Sequence, residues 1–170
     1  MDISTIAARL AANAQVFEHL LANVSDEQAR WKPRPEKWSL LEVINHLADE
    51  ERDDFRTRLD LTLHQPGVAW PGIDPPRWAV EREYNRRELA ASLADFTRER
   101  GRSIEWLERL HQPDLSAAYR HPSLGAISAG DLLVSWLAHD LIHVRQMTRL
   151  HYEYLAETAR AYSPGYAGDW

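Results

Sequence analysis

Four long stretches of this chain repeat their apolar residues with the helical period, and the prolines fall between and after them. Proline has a fixed φ and no N–H, so it breaks a helix interior and marks where helices stop. The first stretch, residues 3–23, carries Ile6, Leu10, Ala14, Phe17, Leu20 and Leu21 at helical spacing. Ser25 with Gln28 three residues on has the form of a capping box and predicts a short helical turn. Pro33 and Pro35 end it. The second stretch opens at Ser39, with Glu42 in the box position, and runs to about Leu63. Its inward face is Leu40, Leu41, Val43, Ile44, Leu47, Phe55 and Leu59. A long connection follows with Pro66, Pro71, Pro75 and Pro76, and with Trp70 and Trp78.

The third stretch, residues 80–110, places Tyr84, Leu89, Leu93, Phe96, Ile104, Leu107 and Leu110 on one face. Gly101 is a tolerated weak point in it. A loop with Pro113, Pro122 and Gly125 leads to Ser128, which caps the fourth helix with Asp131 in the box position. That helix continues to about Ala161, and residues 163–170 read as an irregular tail. Period-two alternation is absent over any useful length. The expected fold is all-α, a four-helix bundle built as one domain over residues 1–170. The longer connections, first to second and second to third, permit a non-sequential arrangement.

Two histidines on the fourth helix bear on chemistry. His139 and His143 are four apart, hence one turn apart on one face. At about 100° per residue, Trp136, His139, His143, Met147, Leu150 and Tyr154 share the sector centred near Leu132. The imidazoles therefore sit in the middle of the inward stripe. Burying two imidazoles side by side costs free energy unless both are satisfied, either by a metal ion or by a hydrogen-bonded polar core. A third histidine, His46, lies on the second helix at about 240° from Leu40, and Glu50 at about 280°, both flanking the apolar stripe. If the second and fourth helices are neighbours, His46, His139 and His143 converge as an open three-histidine metal site.

Composition removes several alternatives. The chain has no cysteine, which excludes disulfides, zinc–thiolate sites and a cysteine nucleophile. Its formal net charge of −6 argues against a nucleic-acid partner. The arginines at 82, 86, 87, 98, 100 and 102 alternate with acids and read as a solvated face of paired charges. No apolar run reaches the roughly 18–20 residues of a membrane span, so no membrane partner is expected. Residues 1–21 lack the pattern of a signal peptide, and a cytoplasmic location is expected.

The segment Trp38-Ser39-Leu40-Leu41-Glu42-Val43-Ile44-Asn45-His46-Leu47-Ala48-Asp49-Glu50-Glu51 resembles the start of the second helix of the DinB-like (DinB/YfiT) superfamily. Leu137-Ala138-His139-Asp140-Leu141-Ile142-His143-Val144-Arg145-Gln146 is similar to the last core helix of the same superfamily. The resemblance implies a four-helix bundle with one divalent metal ion on His46, His139 and His143. Zinc, nickel, iron and cobalt all suit imidazole and are not distinguished. It further implies a homodimer, a reading to which the aromatic loop around Trp70 and Trp78 adds. For activity it implies a small-molecule substrate handled by a low-molecular-weight-thiol-dependent transferase, or else a hydrolase. The other class is a non-catalytic metal-binding or stress-response protein. Without cysteine, a thiolate would come from a cosubstrate.

Glu50, four residues after His46, is the candidate catalytic base, fourth ligand, or acceptor for an imidazole N–H. Asp140 stands where a metalloprotease helix carries glutamate, but it is shorter and points about 100° from His139. It is expected to orient an imidazole or meet an arginine. His19, His64, His111, His121 and His151 lack a matching spacing and read as surface or loop residues.

Overall fold

The computed structural model describes residues 2–168. Helix α1 (Ile3–Leu21) is followed by the short α2 (Asp26–Arg30). The second long helix is a rod in three parts: α3 (Leu40–Asp49), a π-helical segment (Glu50–Phe55) and α4 (Arg56–His64). Then come α5 (Pro75–Glu81), a 3₁₀ turn (Tyr84–Arg86) and α6 (Leu89–Glu108). A hairpin of β1 (Ala118–His121) and β2 (Gly125–Ser128) leads into α7 (Ala129–Thr158), and a 3₁₀ turn (Pro164–Ala167) follows. The last two residues of the tail read as irregular, Asp169 and Trp170, lie outside the described residues, as does Met1.

Four rods make the bundle: α1, α3–α4, α6 and α7. Helix α1 packs chiefly on α6 and α7, α6 also on α3, and α7 on both halves of the α3–α4 rod. The first and second long helices are therefore diagonal to each other, as are the third and fourth. The arrangement is non-sequential, as the connections permitted, but the crossings are not the two expected. The first-to-second connection does cross the bundle. The second-to-third joins neighbours, and the hairpin-bearing loop before α7 makes the other crossing.

The predicted capping boxes form at Ser39 with Glu42 and at Ser128 with Asp131. At Ser25 only half of one forms. Its hydroxyl accepts from Gln28 N, but the Gln28 amide lies 2.9 Å from His151 Nδ1 and does not fold back. The core has two continuous parts. One gathers Phe17, Leu41, Ile44, Leu47, Phe96 and Met147, with Phe17 and Phe96 edge to face at 5.5 Å. The other gathers Ile6, Leu10, Phe55, Leu59, Leu132 and Trp136.

Three expectations need correction. Residues 80–110 are not one helix. Glu83 takes a left-handed backbone (φ 49°), and the break turns Tyr84 and Arg82 onto Asp49. A buried carboxylate satisfied by a phenol and a guanidinium offsets the cost of that unfavourable conformation. The hairpin at residues 118–128 was expected as loop; its four-residue strands are too short to show alternation. Finally, α3 is not amphipathic in place, because all ten of its residues are buried. Helices α2, α5 and α6, α7 and the 3₁₀ turn cover it on every side. Its polar side chains are satisfied accordingly: Glu42 by Lys32, and Asn45 by Ser92 and Arg87.

The π-helical segment has a geometric effect. Uniform α-helical winding would set Phe55 about 180° from His46, nine residues on at about 100° each. The looser turn instead lets Phe55 stack on Trp136 (5.4 Å) and lie 5.2 Å from the His139 ring. It also sends neighbouring carboxylates to different partners: Asp49 to Arg82, Glu51 to Arg100 and Asp54 to Arg58. Single π turns of this kind recur at functional sites.

Candidate metal centre

Helix α3 supplies His46, and α7 supplies His139 and His143 one turn apart. The structure brings all three together. His46 Nε2 lies 3.3 Å from His139 Nε2 and 3.1 Å from His143 Nε2, and the last two are 3.1 Å apart. Hydrogen bonds alone cannot account for this closed triangle. Each ring nitrogen carries either one proton or one lone pair, so it cannot both donate and accept around the ring. An electrophile facing all three resolves it. A tetrahedral ion with bonds of about 2.0–2.1 Å sets its nitrogens about 3.3 Å apart, and the observed spacing fits. Among the described residues these three make up the group of histidine and acidic side chains placed to hold an ion.

The electrostatics agree with neutral rings. Burial, and then repulsion by the other two rings, pushes His46 down from 6.5 to about 2. Burial, His143 and Arg100 push His139 down to about 3. His143 is also lowered by burial, against the opposing pull of Gln146 and Asp140. Neutral imidazole is the form that ligates metal.

The remote nitrogens have partners of their own. Gln146 Oε1 lies 2.8 Å from His143 Nδ1 and accepts its proton, which leaves the Nε2 lone pair aimed into the triangle. His46 Nδ1 faces Glu50 Oε1 at 3.5 Å, and both atoms are buried without a hydrogen bond. Glu50 thus stands behind His46, on the side away from the triangle. Burial, followed by the neighbouring Asp54, pushes the Glu50 carboxyl up to about 9. Burial raises Asp54 as well, while Glu50 and Arg58 oppose that shift. Trp38 packs on the His46 ring at 4.8 Å.

Asp140 meets an arginine. Arg100 donates to both of its oxygens (2.7 and 2.8 Å), to Leu10 O (3.0 Å), and lies 2.8 Å from Glu51 Oε1. Asn13 also donates to Asp140, and the Trp136 indole to Glu51. This buried knot ties α1, the π segment, α6 and α7 together beside His139. Arg100 is 1% exposed, so the reading of a uniformly solvated arginine face fails at this position. The available signal was its place on the stripe Phe96–Arg100–Ser103–Leu107. Sequence reasoning also missed the parts played by Gln146, Trp38 and Glu51. None of His19, His64, His111, His121 or His151 joins the triangle. Trp70 stacks on Tyr119 and Trp78 lies under Arg82, so the rings behind the dimer expectation are engaged within the chain. Among the described residues, no helix is long and apolar enough to cross a membrane.

The sequence profile of the DinB superfamily matches residues 9–147. A "putative metal-dependent hydrolase" of Oceanobacillus iheyensis is 26% identical over 137 residues, covering 80% of this chain and 78% of that protein. A Bacillus subtilis protein named as a "putative metal-dependent hydrolase", YfiT, is 24% identical over 131 residues, covering 74% and 72%. The solved structure of YfiT superposes with a TM-score of 0.78 at 20% identity, covering 89% of this chain and 87% of that one. It is described as a probable metal-dependent hydrolase with an unusual four-helix bundle topology, and the likeness establishes the fold.

Proposed function

This chain belongs to the DinB superfamily, and on that premise we propose that it is a metal-dependent hydrolase of a small-molecule substrate, with one divalent ion held by His46, His139 and His143. The observation that carries the reading is the triangle of Nε2 atoms, which mutual hydrogen bonding cannot satisfy. A divalent ion on three neutral ligands keeps its full charge, so it lowers the pKa of a bound water or thiol and polarises a carbonyl. The names of the relatives support hydrolysis.

The chain's own residues prepare the centre. Gln146 fixes the tautomer and tilt of His143, and Glu50 takes the same position behind His46. Glu50 is a positioning residue in this reading, because its carboxyl lies behind the ring and away from the reacting side. Trp38 and Phe55 pack on His46 and His139 and keep water from their flanks. His139 is the least buried of the three.

Elemental analysis of purified protein tests the ligand set. The wild type should carry about one ion per chain, and His143→Ala should carry little. Equal metal content in both would end the shared-site reading. Chelated protein, reloaded with zinc, nickel, iron or cobalt, is then assayed on chromogenic esters and amides with and without an added small thiol. Turnover that needs metal alone supports hydrolysis. Turnover only with the thiol would replace it with thiol transfer, and equal turnover by metal-free protein would exclude both.

A further inference from the structure

A recess of about 340 Å³ is separated from the histidine triangle by a single layer of side chains, and its charge is opposite to that of the molecule. Trp38 and Gln146 are shared walls: each lines the recess, and each touches a triangle imidazole. The remaining apolar lining is Pro33 and Leu150. Three cations, Arg34, Lys37 and Arg149, stand around it with a single acid, Glu153. Arg149 is already neutralised, with its Nε 2.8 Å from Glu153 Oε1. Arg34 and Lys37 make no ion pair among the described residues. Both are exposed at the rim, where a ligand can reach them.

A local excess of two positive charges is notable on a chain of net charge −6. Most arginines elsewhere are matched, among them Arg52, Arg56, Arg58, Arg82, Arg98 and Arg102, which all pair with carboxylates. An apolar wall ending in unmatched cations suits an amphipathic ligand, with a flat or aliphatic body and a charged end. We infer that the substrate of the proposed metal centre is a small organic anion, its body against Trp38 and Leu150 and its carboxylate or phosphate at Arg34 and Lys37. The inference rests on the metal-enzyme reading for its catalytic meaning, but the binding it requires is measurable without turnover. Arg34 and Lys37 steer and hold the anion; they do not touch the reacting bond.

The test is calorimetric titration of metal-loaded protein with 3-phenylpropionate, phenylphosphonate and the neutral 3-phenylpropionamide. At least one anion should bind about tenfold tighter than the amide or better. The stronger of the two identifies carboxylate or phosphate as the preferred group. Arg34→Gln with Lys37→Gln should bring the ratio near one while metal content stays at the wild-type level. Both side chains are on the surface, so the fold should tolerate the change, and Arg160→Gln serves as the distant control. The Trp38 indole and Gln146 amide signals should shift in a ¹H–¹⁵N spectrum when the anion is added. Equal binding of acid and amide would overturn the proposal. So would a preference that survives the double substitution but vanishes on metal removal, because the anion would then be sitting on the ion. Failure of the metal-enzyme reading appears separately, as absent metal or metal-independent turnover, with the anion preference intact.

Discussion

Replacing Arg100 with methionine should be among the most damaging single changes in this protein. Methionine matches much of the side-chain length, so little cavity is created and the effect is mainly electrostatic. Arg100, Asp140 and Glu51 are 1%, 0% and 1% exposed. The change removes two donations to Asp140 and one to Leu10 O, together with the contact to Glu51. Asp140 keeps Asn13, and Glu51 keeps the Trp136 indole and the Ser103 hydroxyl, all of them neutral partners. Breaking a buried pair and leaving its charge behind costs about 3–5 kcal/mol. With two carboxylates left, the upper half of that range is expected. The pH dependence has a definite sign. Carboxylates stranded in the interior prefer the protonated form, so the folded variant binds more protons than its unfolded chain. Its deficit should therefore be largest near pH 8 and narrow as pH falls to 5, by up to about 1.4 kcal/mol per unit for each group. Urea unfolding followed by circular dichroism at pH 5, 7 and 8 measures it. Neutralising all three, as Arg100→Met with Glu51→Gln and Asp140→Asn, should recover at least about 2 kcal/mol, since no orphaned charge remains. A single-variant loss below about 1 kcal/mol at pH 7, or the same loss at pH 5 and 8, would refute the reasoning.

Glu50→Gln should weaken metal affinity by about tenfold, and Glu50→Leu by up to about a hundredfold, as a competing chelator reports. Rate at metal saturation should change little; a collapse of rate with affinity intact would make Glu50 the general base instead. Metal-free protein should be most stable near pH 6.5. Below that value the unfolded chain protonates its histidines while burial keeps His46 neutral down to about 2, His139 down to about 3, and lowers His143 as well, so stability falls as acid is added, at first slowly because the raised carboxyls of Glu50 and Glu51 oppose it. Above it, stability falls more steeply, because burial holds Glu50 protonated up to about 9 and raises Glu51 and Asp54 too, with no histidine term to offset them. Thermal melts across pH 5–9 should show the steeper slope on the alkaline side, and a flat profile would contradict it.

The helices and the triangle were legible because their signals are local. Ser39 and Ser128 begin helices through bonds to residues three positions on, and His139 and His143 share a face through a fixed turn length. What escaped depends on contacts distant in sequence. Leu40 to Asp49 read as one-sided because nothing in the segment reveals that α2 and the 3₁₀ turn cover its polar side. The break at Glu83 is marked by no proline or glycine in the sequence; it serves Asp49, 35 residues upstream of the Tyr84 phenol. Arg100 looked like its neighbours because a charged side chain is buried only where a partner such as Asp140, forty residues on, awaits it. The winding change after Asp49 leaves no trace in composition, because a period of 3.6 and a slightly longer one cannot be told apart over six residues.

That winding change makes the rod a coupling with a fixed phase offset. Winding all six residues of Glu50–Phe55 as ordinary α-helix would turn α4 by about 100° relative to α3. Phe55 would swing off Trp136 and His139, and Leu59 would leave the core, while His46 stayed where it is. A related chain that keeps all six residues must therefore keep the looser turn, whereas one that is a residue shorter reaches the same phase with ordinary winding. In an alignment, a one-residue gap between the first histidine and Phe55 should mark the relatives whose rod is wound as ordinary helix throughout.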